Sequence, residues 1–205
     1  TVTGAVPGAP TSLSGRVDDS SGNPVVGVAV SLRDVPTTTT TNTAGEFTLA
    51  FAGHPAGRQL LVVTGLPAGY ANLVAPVDLI ANTANVLPSP VTTPPLDLAT
   101  AVTVNPAATT TLTSATAHVT VVIPPGRAKT ADGTPFTGQL TISPVPEYGR
   151  PESRPVELRP GLSVTIQPAG VILDPPVPIT FPNVDNLPPG NDLDLWSLSP
   201  DTGKF

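Results

Sequence analysis

Apolar and polar residues alternate in short runs, and the runs are broken by proline and glycine. Leu13-Ser14-Gly15-Arg16-Val17 reads as a first strand, and Val26-Gly27-Val28-Ala29-Val30-Ser31-Leu32 as a second. Glu46 to Phe51 alternates again, and 59–63 is a further strand. Five consecutive threonines, Thr37 to Thr41, suit an edge strand or a loop beside one. Residues 84–98 carry Pro88, Pro90, Pro94 and Pro95, so they run extended along an edge or as a connector. After a lead-in at Val102-Thr103-Val104, strands are predicted at 117–123, 138–143, 162–167, 177–181 and 193–198. Turn signals separate them, among them Pro124-Pro125-Gly126, Asp132-Gly133, Pro168-Ala169-Gly170 and Pro188-Pro189-Gly190. No window has a helical period with caps. The fold class is all-β, with two tandem β-sandwich modules, an extended Pro/Thr-rich arm and a connector.

The 205 residues fit two sandwiches of roughly 100 residues each. The expected division is an N-terminal arm at 1–10, a first module at 11–98 and a second at 99–205. The arm, Thr-Val-Thr-Gly-Ala-Val-Pro-Gly-Ala-Pro, has no core of its own and is ordered only if something holds it.

Composition sharpens this. Charged residues are 12% of the chain, about half the usual share of roughly 25%. Three explanations compete: plain β-propensity, resistance to proteolysis, or surface buried against other copies. The net charge of −6 is spread thinly and the nine Lys and Arg form no run, which argues against a nucleic-acid partner. No apolar stretch is long enough for a membrane span. The chain has no Cys, which excludes disulfides and thiolate metal sites. It also has no Met, even at position 1, which fits either a removed signal peptide or a fragment of a longer precursor, and the location expected is secreted or cell-surface.

Little chemistry is on offer. His118 falls on the run 117–123 with no carboxylate near it in sequence, and His54 precedes Pro55. Both read as ordinary polar positions. No Gly-x-Ser-x-Gly elbow and no Gly-rich phosphate loop occurs, so neither an enzyme nor a cofactor is expected. Asp18, Asp19 and Asn23 could offer oxygens to calcium. The better group is Asp185, Asn186, Asn191, Asp192 and Asp194, with Asp185, Asp192 and Asp194 as the weak metal candidates. The competing reading is that Asp and Asn are simply turn formers. O-glycosylation of the threonine runs stays open. Trp196 alternates with Leu195 and Leu193; a core or inter-module plug competes with a solvent-facing sugar platform.

Two resemblances can be stated from motifs. Gly15-Arg16-Val17, Gly22-Asn23-Pro24-Val25-Val26-Gly27-Val28-Ala29-Val30 and Thr41-Asn42-Thr43-Ala44-Gly45-Glu46-Phe47-Thr48-Leu49 resemble the carboxypeptidase-regulatory-like and Cna-B-like modules of prealbumin type. Val121-Val122-Ile123-Pro124-Pro125-Gly126, Gln139 to Val145 and Pro168 to Pro182 are similar to a ZU5-type sandwich. These resemblances imply stalk, display and interaction roles of bacterial surface proteins. An isopeptide bond of the Cna-B kind needs a Lys; the first module has none, and the second has only Lys129 and Lys204. The self-cleaving His-Phe-Ser triplet of some ZU5 modules is absent.

The function expected is an extracellular structural subunit that self-assembles by β-strand addition into a filament or surface layer. Its partners would be further copies of itself, head to tail, and other surface proteins. The alternative is a stalk or spacer piece of a large bacterial adhesin. Strand addition would use Val2, Ala5 and Val6 of the arm, and Leu193, Leu195 and Trp196 at an edge left open by a short return strand.

Overall fold

A computed structural model describes residues 10–53, 55–65, 68–145 and 161–197. It is nearly all strand and divides into two compact units, with the boundary between Thr93 and Pro94.

The first unit is a sandwich of two sheets. Strand β1 (Ser12–Asp18) pairs with β4 (Glu46–Ala50), and on its other side runs parallel to β7 (Ala84–Val86) and β8 (Val91–Thr92). The second sheet has the order β3 (Thr38–Thr40), β2 (Ala29–Leu32), β5 (Gly57–Thr64), β6 (Leu73–Leu79). The alternation of each strand decides its inward face. Leu13 and Val17 of β1, Phe47 and Leu49 of β4, Val30 and Leu32 of β2, Leu61 and Val63 of β5 meet in one core. Register sets residues of the same kind opposite one another on neighbouring strands of each sheet: Leu13↔Leu49, Val30↔Val63, Leu32↔Leu61. Burying each such side chain contributes about 1.5–3 kcal/mol. Gly15 sits opposite Phe47, and a Cβ there would lie 2.7 Å from Leu87 and 2.9 Å from the Phe47 ring. The missing side chain is what lets the ring lie against β1.

Among the described residues the second unit holds three small sheets. Strands β10 (Thr110–Thr113), β11 (Thr120–Ile123) and β16 (Ile179–Thr180) form one. Strands β14 (Val164–Gln167), β13 (Gln139–Pro144) and β9 (Val102–Thr103) form another, and β12 (Ala128–Lys129) pairs with β15 (Ile172–Leu173). The core gathers Leu112, Val119, Val121, Ile123, Leu140 and Ile142. Strand β13 is covered on both faces: Thr141 and Ser143 are buried too, and Ser143 Oγ accepts the Asp97 N–H at 2.8 Å.

The two units share a turn. At an offset of 111 positions residues 16–27 fall on 127–138, placing Gly22 on Gly133, Pro24 on Pro135 and Gly27 on Gly138. The hydrogen bonds repeat as well. Asp19 N–H donates to Asn23 O (2.8 Å) and Gly22 N–H to Asp19 O (3.1 Å); Thr130 N–H donates to Thr134 O (2.9 Å) and Gly133 N–H to Thr130 O (2.9 Å). Both glycines take positive φ, +80° and +84°, a conformation that glycine adopts without the Cβ penalty. Each turn leads through its proline into a strand, β2 or β13, that lines its unit's core.

Several sequence expectations change. Strand β2 starts at Ala29, because residues 26–28 are spent on a left-handed Gly27 (φ +75°) whose N–H donates to Thr41 O at 3.0 Å. The expected strand at 117–123 begins only at Thr120. Ser114 to Val119 closes the β10–β11 hairpin, with His118 at a positive φ of +53° and solvent-exposed. Strands β6 and β10, and the two-residue strands β12 and β15, were not foreseen. Finally, 193–197 is not a strand: the exposed chain there pairs with no strand among the described residues. Leu198 and the short return strand expected after it lie outside the described residues.

Candidate assembly surface

Asp19 and Asp132, at the shared turn, show what the acidic residues of this chain do. Asp19 Oδ1 accepts the N–H groups of Ser21 (2.7 Å) and Asn23 (2.9 Å), while Oδ2 accepts the Asn23 amide (3.1 Å). Desolvation pushes this carboxyl up, but the hydrogen bonds from Asn23, Ser21 and Gly22 together outweigh it and hold the group below its ordinary value. Asp132 is lowered chiefly by the Thr130 hydroxyl, then by the Thr134 backbone and side chain. Their lone pairs are committed to closing turns.

The calcium candidates do not converge. Among the described residues no three His, Asp or Glu side chains stand close enough to hold a metal ion, so Asp185, Asp192 and Asp194 form no cluster. Asn183 organises the adjoining loop: its amide donates to Leu187 O (2.8 Å) and its Oδ1 accepts Leu187 N–H (2.9 Å). Arg16 donates to Asp18 at 2.6 Å. Lys129 lies 3.4 Å from Asp174, in a pair open to solvent on both sides. An exposed pair of this kind contributes little and lacks the buried acid that an isopeptide needs. Lys204, His54, Val2, Ala5 and Val6 lie outside the described residues.

The segment 191–197 is the most unusual part of the described surface. All seven residues are exposed, with Leu193 at 73%, Leu195 at 69% and Trp196 at 48%. Trp196 is therefore no core plug. Sequence reasoning found these residues through their alternation, but expected them in a strand at a sheet edge. No described strand lies beside them, so the expected acceptor edge is corrected to an unpaired apolar segment.

Each unit also has a depression. In the first unit, a broad one of about 370 Å³ lies over Gly15 between Glu46, Thr48 and residues 86–90. In the second, a tighter cavity of about 100 Å³ lies beneath the turn after β14. Leu140, Ile166, Val171 and Leu173 line it, with Pro168 and Ala169 at the turn. Its walls are mostly apolar. Strand β14 pairs only with β13, so its far edge carries no described strand. Sequence reasoning missed this cavity, because Leu140 and Leu173 are brought together only by the fold. Among the described residues no helix is long and apolar enough to cross a membrane.

No family model matches the sequence, and no curated protein matches it. Among solved structures, similarity is found to a chain of an N-terminal interface mutant of a type II cohesin–X-dockerin complex from Acetivibrio cellulolyticus. The identity is 18% and the TM-score 0.33, over 43% of this chain and 60% of that one. A C-terminal interface mutant of the same complex from Acetivibrio cellulolyticus gives 19% identity and a TM-score of 0.30, over 40% of this chain and 56% of that one. The carboxypeptidase-regulatory-like and ZU5-like assignments thus rest on the motifs that suggested them. What the strands and their layers establish is an all-β chain of two tandem sandwich modules.

Proposed function

We propose that this chain is a non-catalytic, extracellular structural module whose copies associate by β-strand addition into a filament or surface layer. The observation that carries the reading is the exposed, unpaired segment 191–197 with Leu193, Leu195 and Trp196. An extended segment with apolar residues at alternate positions is what strand addition uses: main-chain hydrogen bonds supply affinity and alternate side chains fill pockets. The low charge supports the same reading, since charged side chains are a usual means of keeping β edges apart. A contact between two different surfaces need not close, so it propagates. The arm at 1–10, with Val2, Ala5 and Val6, is the second candidate donor. His118, alone on an exposed turn, supports a module without acid–base chemistry.

Sedimentation velocity and electron microscopy test this on the full chain, on the chain without residues 1–10, and on the double variant Leu193→Ser/Leu195→Ser. The full chain is expected to form species larger than 20.7 kDa, and at least one variant to lose them. A full chain that stays monomeric up to about 100 μM, a concentration at which a contact of micromolar Kd would be nearly saturated, overturns self-assembly and favours the spacer reading.

A further inference from the structure

We infer that Thr141 and Gln167 react with one another to form an intramolecular ester, which staples β13 to β14. The step happens once per chain and turns over no substrate. It therefore goes beyond the structural reading above and does not depend on self-association.

Register brings the two residues together. Thr141 of β13 stands directly opposite Gln167 of β14 in the antiparallel ladder. Residues so opposed share a face, with Cβ atoms roughly 4.5–5.5 Å apart. The Thr hydroxyl is attached to its Cβ and the Gln carbonyl carbon lies just beyond Cγ, so the two groups are within reach of each other. The face is the one turned away from the core residues Leu140 and Ile142. It is nonetheless shielded from water: Thr141 and Gln167 are each 4% exposed, and Ser143 is fully buried.

Hydrogen bonding leaves the pair ready to react. Thr141 Oγ1 is buried with no hydrogen-bond partner among the described residues, an uncommon and costly state for a hydroxyl. The Gln167 amide is held by other groups: its Oε1 accepts Ala169 N–H at 3.1 Å, and its Nε2 donates to Thr165 Oγ1 at 2.9 Å. The first of these bonds is aimed at the oxygen on which negative charge develops when the carbonyl carbon is attacked. The second fixes the nitrogen that leaves. Asp97 Oδ2 is the other buried side-chain oxygen without a partner among the described residues. Asp97 is held at the same face, because its N–H donates to Ser143 Oγ at 2.8 Å, and Ser143 is the next residue of β13 to point the way Thr141 points.

The chemistry balances without a co-reactant. Thr141 Oγ1 attacks Gln167 Cδ, and the hydroxyl proton passes to the Asp97 carboxylate. The tetrahedral intermediate then expels the amide nitrogen, which takes up that proton and departs as ammonia. A C–O bond forms, a C–N bond breaks, and nothing is oxidised or reduced. Ammonia escapes to solvent and is protonated there, which draws the exchange forward. Burial of both residues keeps water from the product ester.

Mass spectrometry of the intact, folded full chain tests this. The chain is expected to be lighter than its sequence mass by one ammonia. Glu147, Glu152 and Glu157 lie between the two residues, so a glutamate-specific protease should leave the peptides carrying Thr141 and Gln167 joined. Alkaline hydroxylamine should then part them and leave a hydroxamate at position 167. Thr141→Val keeps the shape and removes the nucleophile, and is expected to retain the ammonia. A folded native chain that keeps its full mass overturns the ester whatever the variants do, and so does an ammonia loss that maps to other residues. Asp97→Asn keeps the N–H on Ser143 and is expected to slow the loss about 10²-fold or more, with Asp97→Glu restoring part of the rate. Loss at the native rate from a folded Asp97→Asn chain overturns the part given to Asp97.

Discussion

At the scale of single residues, the glycines show how the same amino acid does different work. Gly45 has φ +74°, and a Cβ there would lie 2.6 Å from Val17 O and 3.0 Å from Pro24 Cβ. Gly22 has φ +80° with nothing within 4 Å. Gly22→Ala should cost only the left-handed penalty of about 1–2 kcal/mol. Gly45→Ala adds a clash with backbone and should cost clearly more, read as the difference in urea midpoints. Asp19 gives a pH prediction. Its carboxyl is depressed below 3.8 in the folded chain, so the charged form is favoured by folding. The stability it contributes is complete above 3.8 and is lost as pH falls through the depressed folded value. Asp19→Ala should lower stability at neutral pH and flatten the acid limb of the stability curve, as urea titrations across pH will read. The Asp-Gly and Ser-Gly pairs were legible as turns because Gly, Asp and Ser favour turns locally. His118 was not: alternation placed it in a strand. The hairpin that forces its φ to +53° depends on Ser114, whose carbonyl accepts the His118 N–H at 2.9 Å.

Elements depend on side chains that bind backbone across them. Asn85 of β7 is the clearest case. Its amide donates to Ser12 O (3.1 Å), Ile80 O (3.0 Å) and Thr83 O (3.0 Å), and its Oδ1 accepts Ile80 N–H (2.9 Å). One side chain thus ties the turn at 80–83 and holds β7 parallel to β1. Asn85→Ala should cost about 1–3 kcal/mol, the desolvation penalty of a carbonyl or N–H left without a partner. Hydrogen exchange should accelerate at β7 and in the first half of β1, and much less at β5. Unchanged protection at β7 would show that the parallel pairing stands without it. Strands such as β1, β4, β5 and β13, which sequence reading found, carry apolar residues at period two: Leu13 and Val17, Phe47 and Leu49, Leu61 and Val63, Leu140 and Ile142. It missed β6, Leu73–Leu79, because Pro76 interrupts the run. As an edge strand β6 pairs only with β5, where a residue without an N–H is tolerated on the open side.

In the whole molecule the two cores share no residue: Leu13 belongs to one, Ile142 to the other. Leu13→Ala and Ile142→Ala should each cost about 2–5 kcal/mol. Each should speed hydrogen exchange in its own unit and leave the other's core strands protected. Equal loss of protection in both units after either change would mean a single cooperative block. The repeated turn at 111 positions gives this division a sequence basis, and it was readable from Gly22, Pro24 and Gly27 against Gly133, Pro135 and Gly138. Alternation and turn chemistry are properties of a few consecutive residues, so the sequence by itself determined an all-β chain, many strand positions and the apolar character of Leu193 and Leu195. Pairing is decided by residues far apart in the chain. Only the tertiary structure could therefore decide that 191–197 has no described partner, that β14 pairs with β13 and has no described strand on its other edge, and that Leu140, Ile166 and Leu173 line a cavity. A strand's pattern records which side it can bury, but the strand beside it is fixed by the closure of the fold around a shared core.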